Sequence, residues 1–338
     1  FGSSIVERRS ESIQRFQIVK EIPEWEPRNE VWGENFPREY QTYLETRDTS
    51  FASKYNGSIT IDVLQRDPKL VILWAGYSFA YEYKQARGHY YSITDIRNTL
   101  RTDVPQPATC WTCKSTDVPR LLNKMGTENF YKQKWIDMGS QVVNSIGCQD
   151  CHEPNTMNLR ITRPALIEAF QRQGKDIRKA TLQDMRSLVC AQCHVEYYFG
   201  REDHTYLTFP WDKGLNVDSA EVYYDNNNHI DFVNAISKTP ILKAQHPDYE
   251  LSQLGIHAQR GVSCADCHMP YKSEGGVKFT DHHVQSPLNN ISRSCQVCHR
   301  EDEETLRKNV YERQDKIKEL LEIAETSLVK AHLEAKAA

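Results

Sequence analysis

The distribution of apolar and polar residues divides the chain into three segments. Residues 1–40 are polar and charged with little periodicity, and this pattern predicts an extended N-terminal arm. Residues 41–300 show short helical patterns between long loop-like stretches, with few of the alternating patterns that are typical of strands. Residues 301–338 contain neither glycine nor proline, so we expect one long helix there.

The C-terminal segment carries an apolar stripe with helical spacing. Its members recur at intervals of four and seven residues: Leu306, Val310, Ile317, Leu321 and Leu328. A helix of about 38 residues would be roughly 57 Å long, at about 1.5 Å per residue. Such a length indicates a coiled coil or a helix packed on a partner. An amphipathic helix lying on its own domain is the alternative.

The middle segment is predicted to form one mainly α-helical domain with much irregular chain. Its clearest helix covers residues 162–173, because Pro164 would lie in the first turn and Gly174 would end the helix. Only 39% of the 338 residues are hydrophobic and the mean hydropathy is −0.68, so side chains alone provide limited material for a core. Large apolar cofactors would have to supply part of the interior.

Charge and hydropathy favour neither nucleic acid nor a membrane as a partner. A net charge of −4 gives no reason to expect nucleic acid or anionic lipid. The longest apolar run, residues 70–77, is far shorter than the roughly 20 residues that a membrane-spanning helix needs. We therefore expect no direct membrane span.

All ten cysteines belong to Cys-x-x-Cys pairs. In chain order the pairs are Cys110 and Cys113, Cys148 and Cys151, Cys190 and Cys193, Cys264 and Cys267, and Cys295 and Cys298. The residues that directly follow them are Lys114, His152, His194, His268 and His299. Cys-x-x-Cys-His is the signature of c-type haem attachment, since two thiols bind one porphyrin and the next side chain ligates the iron. The sequence therefore predicts five covalently attached haem c groups, one per motif.

Three other uses of paired cysteines fit less well. Zinc knuckles give no reason for a histidine directly after four of the five pairs. Thioredoxin-like redox pairs lie beside a βαβ pattern, which the sequence does not show. Disulfides explain an even number of cysteines but not the uniform spacing or the histidines.

The first motif is exceptional because it ends in Lys114 instead of histidine. An amine ligates a metal only after it has lost its proton, so iron, burial or both must drive that loss. A haem without a proximal protein ligand, or one with a histidine from elsewhere, is the alternative. An unusual ligand with no obvious distal partner indicates that this haem is the reactive one.

The remaining histidines provide candidates for the second axial position of the other haems. His89, His257 and the pair His282–His283 are plausible distal ligands, whereas His204 and His229 lie in polar stretches and are interpreted as surface residues. A surface or hydrogen-bonded role is the alternative for each.

Several local runs resemble the pentahaem cytochrome c nitrite reductases, which form ammonium from nitrite. The specific runs are RNTLRT at 97–102, CWTCKS at 110–115, CHVEYY at 193–198 and KAQHP at 243–247, with weaker similarity at 71–77 and 209–212. The resemblance extends from about residue 40 to the end of the chain. It implies that Lys114 ligates the catalytic haem and that the residues around it are Arg101, Tyr197 and His246. A guanidinium, a phenol and an imidazole can together hold a small anion and supply protons.

The resemblance also implies further ligands. A calcium site would consist of the Glu196 carboxylate, the Gln245 side chain and the main-chain carbonyls of Tyr197 and Lys243, which are oxygen ligands of the kind that calcium prefers. The implied distal histidines are His282 for the second motif, His89 for the third and His257 for the fifth, with His283 as a neighbouring alternative to His282. Taken singly, Arg101 could instead be a surface cation, Tyr197 a core aromatic and Glu196 a charge on a helix face.

Together these observations favour an enzyme over an electron carrier. We expect reduction of nitrite to ammonium at the lysine-ligated haem, with the four histidine-ligated haems relaying electrons. A multihaem electron-transfer protein, or a related enzyme acting on hydroxylamine or sulfite, is the alternative. Haem is attached to such motifs on the outer side of the energy-conserving membrane, which predicts a periplasmic location. The resemblance implies a homodimer built on long helices and a membrane-anchored, quinol-oxidising multihaem cytochrome as electron donor.

Members of the family continue beyond the position where this chain ends. The distal histidine of the fourth haem lies in that continuation, and His332 does not match its position. We therefore expect a chain that is truncated after the long helix, and no distal ligand is predicted for the fourth haem.

Overall fold

The computed structural model describes residues 18–201 and 203–337. The helices are α1 (Asn29–Gly33), α2 (Pro37–Leu44), α3 (Val63–Arg66), α4 (Lys69–Leu73), α5 (Ser92–Arg97), α6 (Val118–Met125), α7 (Thr127–Tyr131), α8 (Trp135–Met138), α9 (Cys148–Cys151), α10 (Pro164–Arg172), α11 (Leu182–Ala191), α12 (Val217–Asn226), α13 (Asp248–Leu254), α14 (Ile256–Gln259), α15 (Cys264–His268), α16 (Ile291–Ser294) and α17 (Glu303–Ala337). Short 3-10 turns join several of them. The prediction of a mainly helical fold with long loops is confirmed.

Strands are few and form three separate antiparallel hairpins. Their members are β1 (Tyr198–Gly200), β2 (Tyr206–Thr208), β3 (Phe232–Val233), β4 (Pro240–Ile241), β5 (Tyr271–Glu274) and β6 (Val277–Thr280). The β1–β2 hairpin pairs Tyr198 with Thr208 and Gly200 with Tyr206. It begins four residues after the third motif ends at His194, so it holds in place the segment that follows that motif.

The N-terminal segment differs from its prediction. Residues 1–17 lie outside the described part, but residues 29–40 are not an extended arm, because α1 and the beginning of α2 occupy them. Trp32 is buried and its indole donates to the carbonyl of Glu26, 2.9 Å away. One buried aromatic residue in a polar stretch gives no periodic signal, so the pattern of the sequence does not reveal these helices.

The main apolar core is formed by residues from Ile93 in α5 to Trp211, just after β2. It contains Trp111 and Tyr131 together with Leu121, Leu166 and Leu207. Trp111 stacks on Trp135, with ring centroids 4.5 Å apart and planes 9° apart. Since Trp111 belongs to the lysine motif itself, the packing of the core anchors that motif directly.

Helix α10 follows its sequence signals closely. Pro164 is its first residue, where a missing N–H costs nothing, and Gly174 has a φ of +71° just beyond the C-terminal cap. The predicted start at residue 162 is two residues early. Residues 162 and 163 instead form contacts with the haem motifs, described below.

The long C-terminal helix is confirmed as α17. It begins at Glu303 because Asp302 accepts a hydrogen bond from the Thr305 amide, 2.8 Å away, which caps the first turn. One face lies on its own domain, where Lys69 pairs with Glu325 at 3.0 Å and Ser237 Oγ lies 2.7 Å from His332 Nδ1. Among the described residues, no helix is long and apolar enough to cross a membrane.

Candidate haem centres and active site

A continuous cavity of about 3200 Å³ touches all five Cys-x-x-Cys motifs. A pocket for one drug-sized ligand is several times smaller, roughly 300–1000 Å³. The cavity is lined by Lys114 of the first motif and by the proximal histidines of the other four, His152, His194, His268 and His299. Its size and its lining fit several porphyrins held side by side.

The histidine motifs are helical turns, and this explains their spacing. In an α-helical turn the residues i, i+3 and i+4 lie on the same face, so both thiols and the imidazole point to the same side. The amides of His152, His194 and His299 each donate to the carbonyl of the first cysteine of their motif, at 2.9 Å. The backbone therefore presents two attachment points and one ligand to a single ring.

The proximal imidazoles are oriented through their Nδ1 atoms. Nδ1 of His152 lies 2.9 Å from the Met157 carbonyl, Nδ1 of His268 lies 2.9 Å from the Gln285 carbonyl, and Nδ1 of His194 lies 3.0 Å from Asp248. Because Nδ1 is engaged, Nε2 is left to bind a metal. Burial lowers the pKa of His152 to about 4, which keeps this ring neutral and able to act as a ligand.

Two of the predicted distal histidines face their proximal partners. The ring centroids of His152 and His282 are 6.3 Å apart, and those of His257 and His299 are 6.1 Å apart. Two metal–nitrogen bonds of about 2 Å, plus the distance from each nitrogen to its ring centre, require a separation of roughly 6 Å. Both pairs therefore have the spacing of two imidazoles on one iron.

The choice between His282 and His283 is also visible in the geometry. His282 Nδ1 lies 2.8 Å from the Thr280 carbonyl, which leaves its Nε2 free on the side of His152. His283 instead packs edge-on against Phe51 and lies 3.4 Å from Glu45. The arrangement favours His282 as the ligand of the second motif.

His89, predicted for the third motif, lines the same cavity as His194 and interacts with it electrostatically. Burial lowers the pKa of His89 to about 4.

One prediction for a histidine is wrong. His204 is exposed as expected, but the His229 side chain is only 10% exposed and packs against Tyr198 and Tyr224, with centroids 4.5 and 5.3 Å away. A polar stretch of sequence does not reveal that the rings of Tyr198 and Tyr224 pack against this imidazole.

The lysine motif has a different backbone from the histidine motifs. The Lys114 amide donates to the carbonyl of Trp111 at 2.9 Å, a 3-10 bond that follows the turn Ala108–Trp111. The Lys114 carbonyl accepts from Ser92 Oγ at 2.7 Å. The side chain that replaces histidine is therefore presented by a tighter turn and held from α5.

The three predicted active-site residues come together beside this motif. The rings of Tyr197 and His246 are 5.6 Å apart, and Arg101 and Tyr197 interact electrostatically. Burial raises the pKa of Tyr197, and it lowers the pKa of His246 to about 4, with His194 and Lys114 acting in the same direction. The phenol and the imidazole are therefore both neutral at pH 7, while the arginine is a partly buried cation.

Phe79 was not identified from the sequence, although two cations lie over its ring. The Arg101 guanidinium is 4.3 Å from the ring centroid and the Lys243 amine is 4.7 Å from it. Arg101 Nε also donates to Thr99 Oγ1 at 3.2 Å. These contacts fix the direction of the guanidinium. The run at residues 71–77 ends just before Phe79, and its weak similarity was the only signal.

The predicted calcium ligands also lie together. The Gln245 amide donates to Glu196 Oε2 at 2.6 Å, and Lys243 Nζ lies 3.0 Å from Gln245 Oε1. Burial raises the pKa of Glu196 to about 7 and lowers the pKa of Lys243. The buried Glu196 carboxylate lies beside the Gln245 amide oxygen, and the Lys243 amine is within hydrogen-bond distance of that oxygen. Oxygen ligands of this kind fit a site for a hard cation.

The described residues contain no cluster of three or more His, Cys, Asp or Glu side chains arranged to hold a metal. The predicted calcium set has one carboxylate, and its other ligands are an amide and two carbonyls.

Residues 28–338 match the family model described as cytochrome c552. The chain belongs to the cytochrome c552 family. Covalent haem c is therefore confirmed as its cofactor.

The individual relatives agree. A cytochrome c-552 of Parabacteroides distasonis is 62% identical over 343 residues, which cover 99% of this chain and 69% of that protein. A cytochrome c-552 of Maridesulfovibrio salexigens is 46% identical, covering 93% of this chain and 64% of that protein. The catalytic subunit of the cytochrome c nitrite reductase from Desulfovibrio desulfuricans, described as having two calcium sites, superimposes with a TM-score of 0.89. It is 34% identical, covering 94% of this chain and 73% of that one. The resemblance stated from the sequence is confirmed.

Further residues of the site have no motif of their own. Tyr224 donates to Glu196 Oε1 at 2.9 Å, Asp231 accepts from the Lys243 amide at 2.7 Å, and Glu250 accepts from the Glu196 amide at 2.9 Å. They come from α12, the β3–β4 hairpin and α13. Only the tertiary structure brings them next to the segments of Glu196 and Lys243, so sequence reasoning missed all three.

The five motifs form one connected group, with the third next to three of the others. The Cys193 thiol contacts Cys113, the Cys190 thiol contacts Cys264, and Cys151 interacts with Cys193. The fourth motif in turn reaches the fifth, since Cys267 interacts with Cys295. The third motif is thus adjacent to the first, second and fourth.

Proposed function

We propose that the protein reduces nitrite to ammonium at the haem of the first motif. The observation that carries this proposal is the group of Arg101, Tyr197 and His246 beside the one motif that ends in lysine. When bound, the haem supplies an iron that takes up electrons and coordinates a nitrogen oxide. A chain that only transferred electrons would have no need for a guanidinium, a phenol and an imidazole grouped at one of its five motifs.

Each residue has a role that follows from its charge and its surroundings. Arg101 attracts the anion, and Phe79 and Thr99 hold its guanidinium in place. Tyr197 keeps its proton because burial raises its pKa, so it donates a hydrogen bond to an oxygen of the substrate.

His246 is neutral in this structure, and an anion beside it would raise its pKa. It would therefore take up a proton when nitrite binds and pass it on as an oxygen leaves. By valence counting, the complete reduction to ammonium takes six electrons. Retention of every nitrogen species by these side chains would explain reduction without release of intermediates.

The four histidine motifs are proposed to relay electrons. The first motif contacts the third, and the third is adjacent to the second and fourth. Since the fourth reaches the fifth, electrons that enter at the second or fifth motif would pass through the third to the lysine-ligated haem.

A calcium ion is proposed beside the active site. Glu196, Gln245 and the carbonyls of Tyr197 and Lys243 would hold it. The cation would compensate the buried Glu196 carboxylate and raise the positive potential next to Tyr197.

The proposal extends to the location of the protein, its oligomeric state and its electron donor. A periplasmic location, or one at the outer face of the cytoplasmic membrane, is where haem c is attached. A homodimer would cover the apolar stripe of α17, and a membrane-anchored, quinol-oxidising multihaem cytochrome would supply electrons.

The deciding experiment measures nitrite-dependent ammonium formation with a reduced dye as electron donor. Lys114→His and Arg101→Ala are both expected to lower the rate. The effect of Arg101→Ala should be about 100-fold or more, because the site loses the desolvated positive charge that binds the anion. Arg201→Ala is the matched control, since Arg201 also lies over an aromatic ring, 3.5 Å from Tyr206, but is 48% exposed.

Two outcomes would contradict the proposal. A red protein that takes up electrons but leaves nitrite unchanged would be an electron carrier. A protein that reduces hydroxylamine or sulfite but not nitrite would be a related enzyme with a different substrate.

A further inference from the structure

Arg163 is a buried guanidinium, only 1% exposed, immediately before α10. Its Nε donates to the Thr112 carbonyl at 2.9 Å, and its Nη2 donates to the Ser115 carbonyl at 3.0 Å. These two carbonyls flank Cys113 and Lys114. One rigid side chain therefore bridges the segment that carries the iron ligand of the first motif.

The intervening residues of the second and third motifs hold Arg163 in turn. Asp150 Oδ1, of the second motif, lies 2.6 Å from Nη2 as an ion pair without a well-directed hydrogen bond. Gln192, of the third motif, accepts from the Arg163 amide at 3.0 Å and donates to the Asp150 carbonyl at 3.0 Å. Nη1 donates to Thr162 Oγ1 at 2.6 Å.

The position of this charge is specific. It lies close to Cys113, Cys151 and Cys193, one cysteine from each of the first three motifs. Stability alone does not explain it, because a buried ion pair can often be replaced by apolar side chains without loss. A lysine ligand is long and rotatable, so a fixed iron–amine geometry depends on a fixed backbone.

We propose that Arg163, held by Asp150, is a positioning residue that fixes the Lys114 segment for iron ligation and favours the reduced state of that haem through its buried positive charge. The guanidinium is suited to this task because its planar fork donates to two carbonyls at once. A lysine at this position would supply the charge but not both bonds. The inference rests on the proposed function only in taking Lys114 as the iron ligand.

The test compares Arg163→Met and Arg163→Lys in the full chain with all five haems. Haem content is measured first, then the absorption and electron paramagnetic resonance signals of the lysine-ligated haem without nitrite, and then its reduction potential. In Arg163→Met we expect a changed signal and a downward shift of that potential, with kcat for nitrite about 10- to 100-fold lower and KM much less affected. Arg163→Lys should restore the potential more than the signal.

Arg172→Met is the matched control, because Arg172 also joins a carboxylate, Asp212 at 2.7 Å, to a carbonyl, Phe209 at 2.6 Å, but does not line the cavity that Arg163 lines. It should leave signal and potential unchanged.

If neither Arg163 variant incorporates its haems, Asp150→Asn provides the test. It keeps the shape of the Asp150 side chain but removes its charge, and it must still alter the signal of the lysine-ligated haem. Natural signals and potential in a fully haem-loaded Arg163→Met, or in Asp150→Asn, would overturn the proposal. A natural protein that does not reduce nitrite would refute the proposed function, whereas the spectra would still test the role of Arg163.

Discussion

Glu196 shows how single residues acquire chemistry from their surroundings. Its carboxylate is buried, accepts bonds from Tyr224 and from the Gln245 amide, and stands near the acidic Asp231 and Glu250. Burial is the main reason that its pKa rises to about 7, and the hydrogen bonds oppose that rise only in part. A bound cation would offset the cost of burying the ionised carboxylate.

The raised pKa of Glu196 predicts that stability and calcium affinity both depend on pH. Between the ordinary value of 4.5 and about 7, the folded state retains a proton on Glu196 that the unfolded state has lost. Metal-free protein should therefore lose stability as the pH rises through this window. Calcium binds the ionised form, so its affinity should fall about tenfold per pH unit below 7. Calorimetric titration of chelator-treated protein at pH 5, 6, 7 and 8 measures this.

The control for that titration is Glu196→Gln, which should bind calcium weakly with no pH dependence in the same range. An affinity that does not change from pH 5 to pH 8 in the natural protein would show that Glu196 is not a ligand.

At the scale of elements, helix α11 presents the third motif. Thr181 and Asp184 form a capping box at its start, with the Thr181 amide donating to Asp184 Oδ2 at 2.8 Å and the Asp184 amide donating to Thr181 Oγ1 at 3.2 Å. The helix ends at the motif that lies next to three others. Its start therefore helps to set the position of the third motif relative to those three.

Thr181→Ala should lower the free energy of unfolding by about 1 kcal/mol, because the Asp184 amide in the first turn loses the hydroxyl that accepts its hydrogen bond. Urea unfolding of the haem-loaded protein measures the change. Thr326→Ala is the control, since Thr326 donates only to the Glu322 carbonyl within an exposed helix. Equal effects of the two substitutions would show that the capping box contributes nothing of its own.

At the scale of the molecule, α17 presents a surface that its own domain does not cover. Contacts through Lys69 and Ser237 occupy one face, whereas Ile317, Leu321 and Leu328 are 51–57% exposed. These three belong to the stripe predicted from the sequence. The helix therefore both lies on its own domain and exposes an apolar face, so the two interpretations of the pattern do not exclude each other.

We expect a homodimer in solution that Ile317→Glu and Leu321→Glu convert to monomers. Each buried side chain contributes about 1.5–3 kcal/mol and occurs in both copies, so either substitution should weaken association by more than tenfold. Sedimentation analysis across a range of concentrations measures this. Ser327→Glu, on an exposed position outside the stripe, is the matched control. A natural protein that stays monomeric at all concentrations would contradict the prediction of a homodimer through this stripe.

The sequence alone was sufficient wherever function depends on residues that are close along the chain. The five Cys-x-x-Cys motifs, the exceptional Lys114, the helix begun by Pro164 and the long C-terminal helix all follow from local spacing, because a helical turn fixes which neighbours share a face. The family resemblance extended this to Arg101, Tyr197 and His246 through short runs of residues.

Only the tertiary structure decided what lies between distant segments. His229 was placed at the surface because its neighbours in sequence are polar, yet Tyr198 and Tyr224 bury it. The helices of residues 29–40, the cations over Phe79 and the bridge formed by Arg163 were likewise invisible in the pattern. Burial and charge pairing depend on contacts across the chain, and a one-dimensional pattern of residues does not contain those contacts.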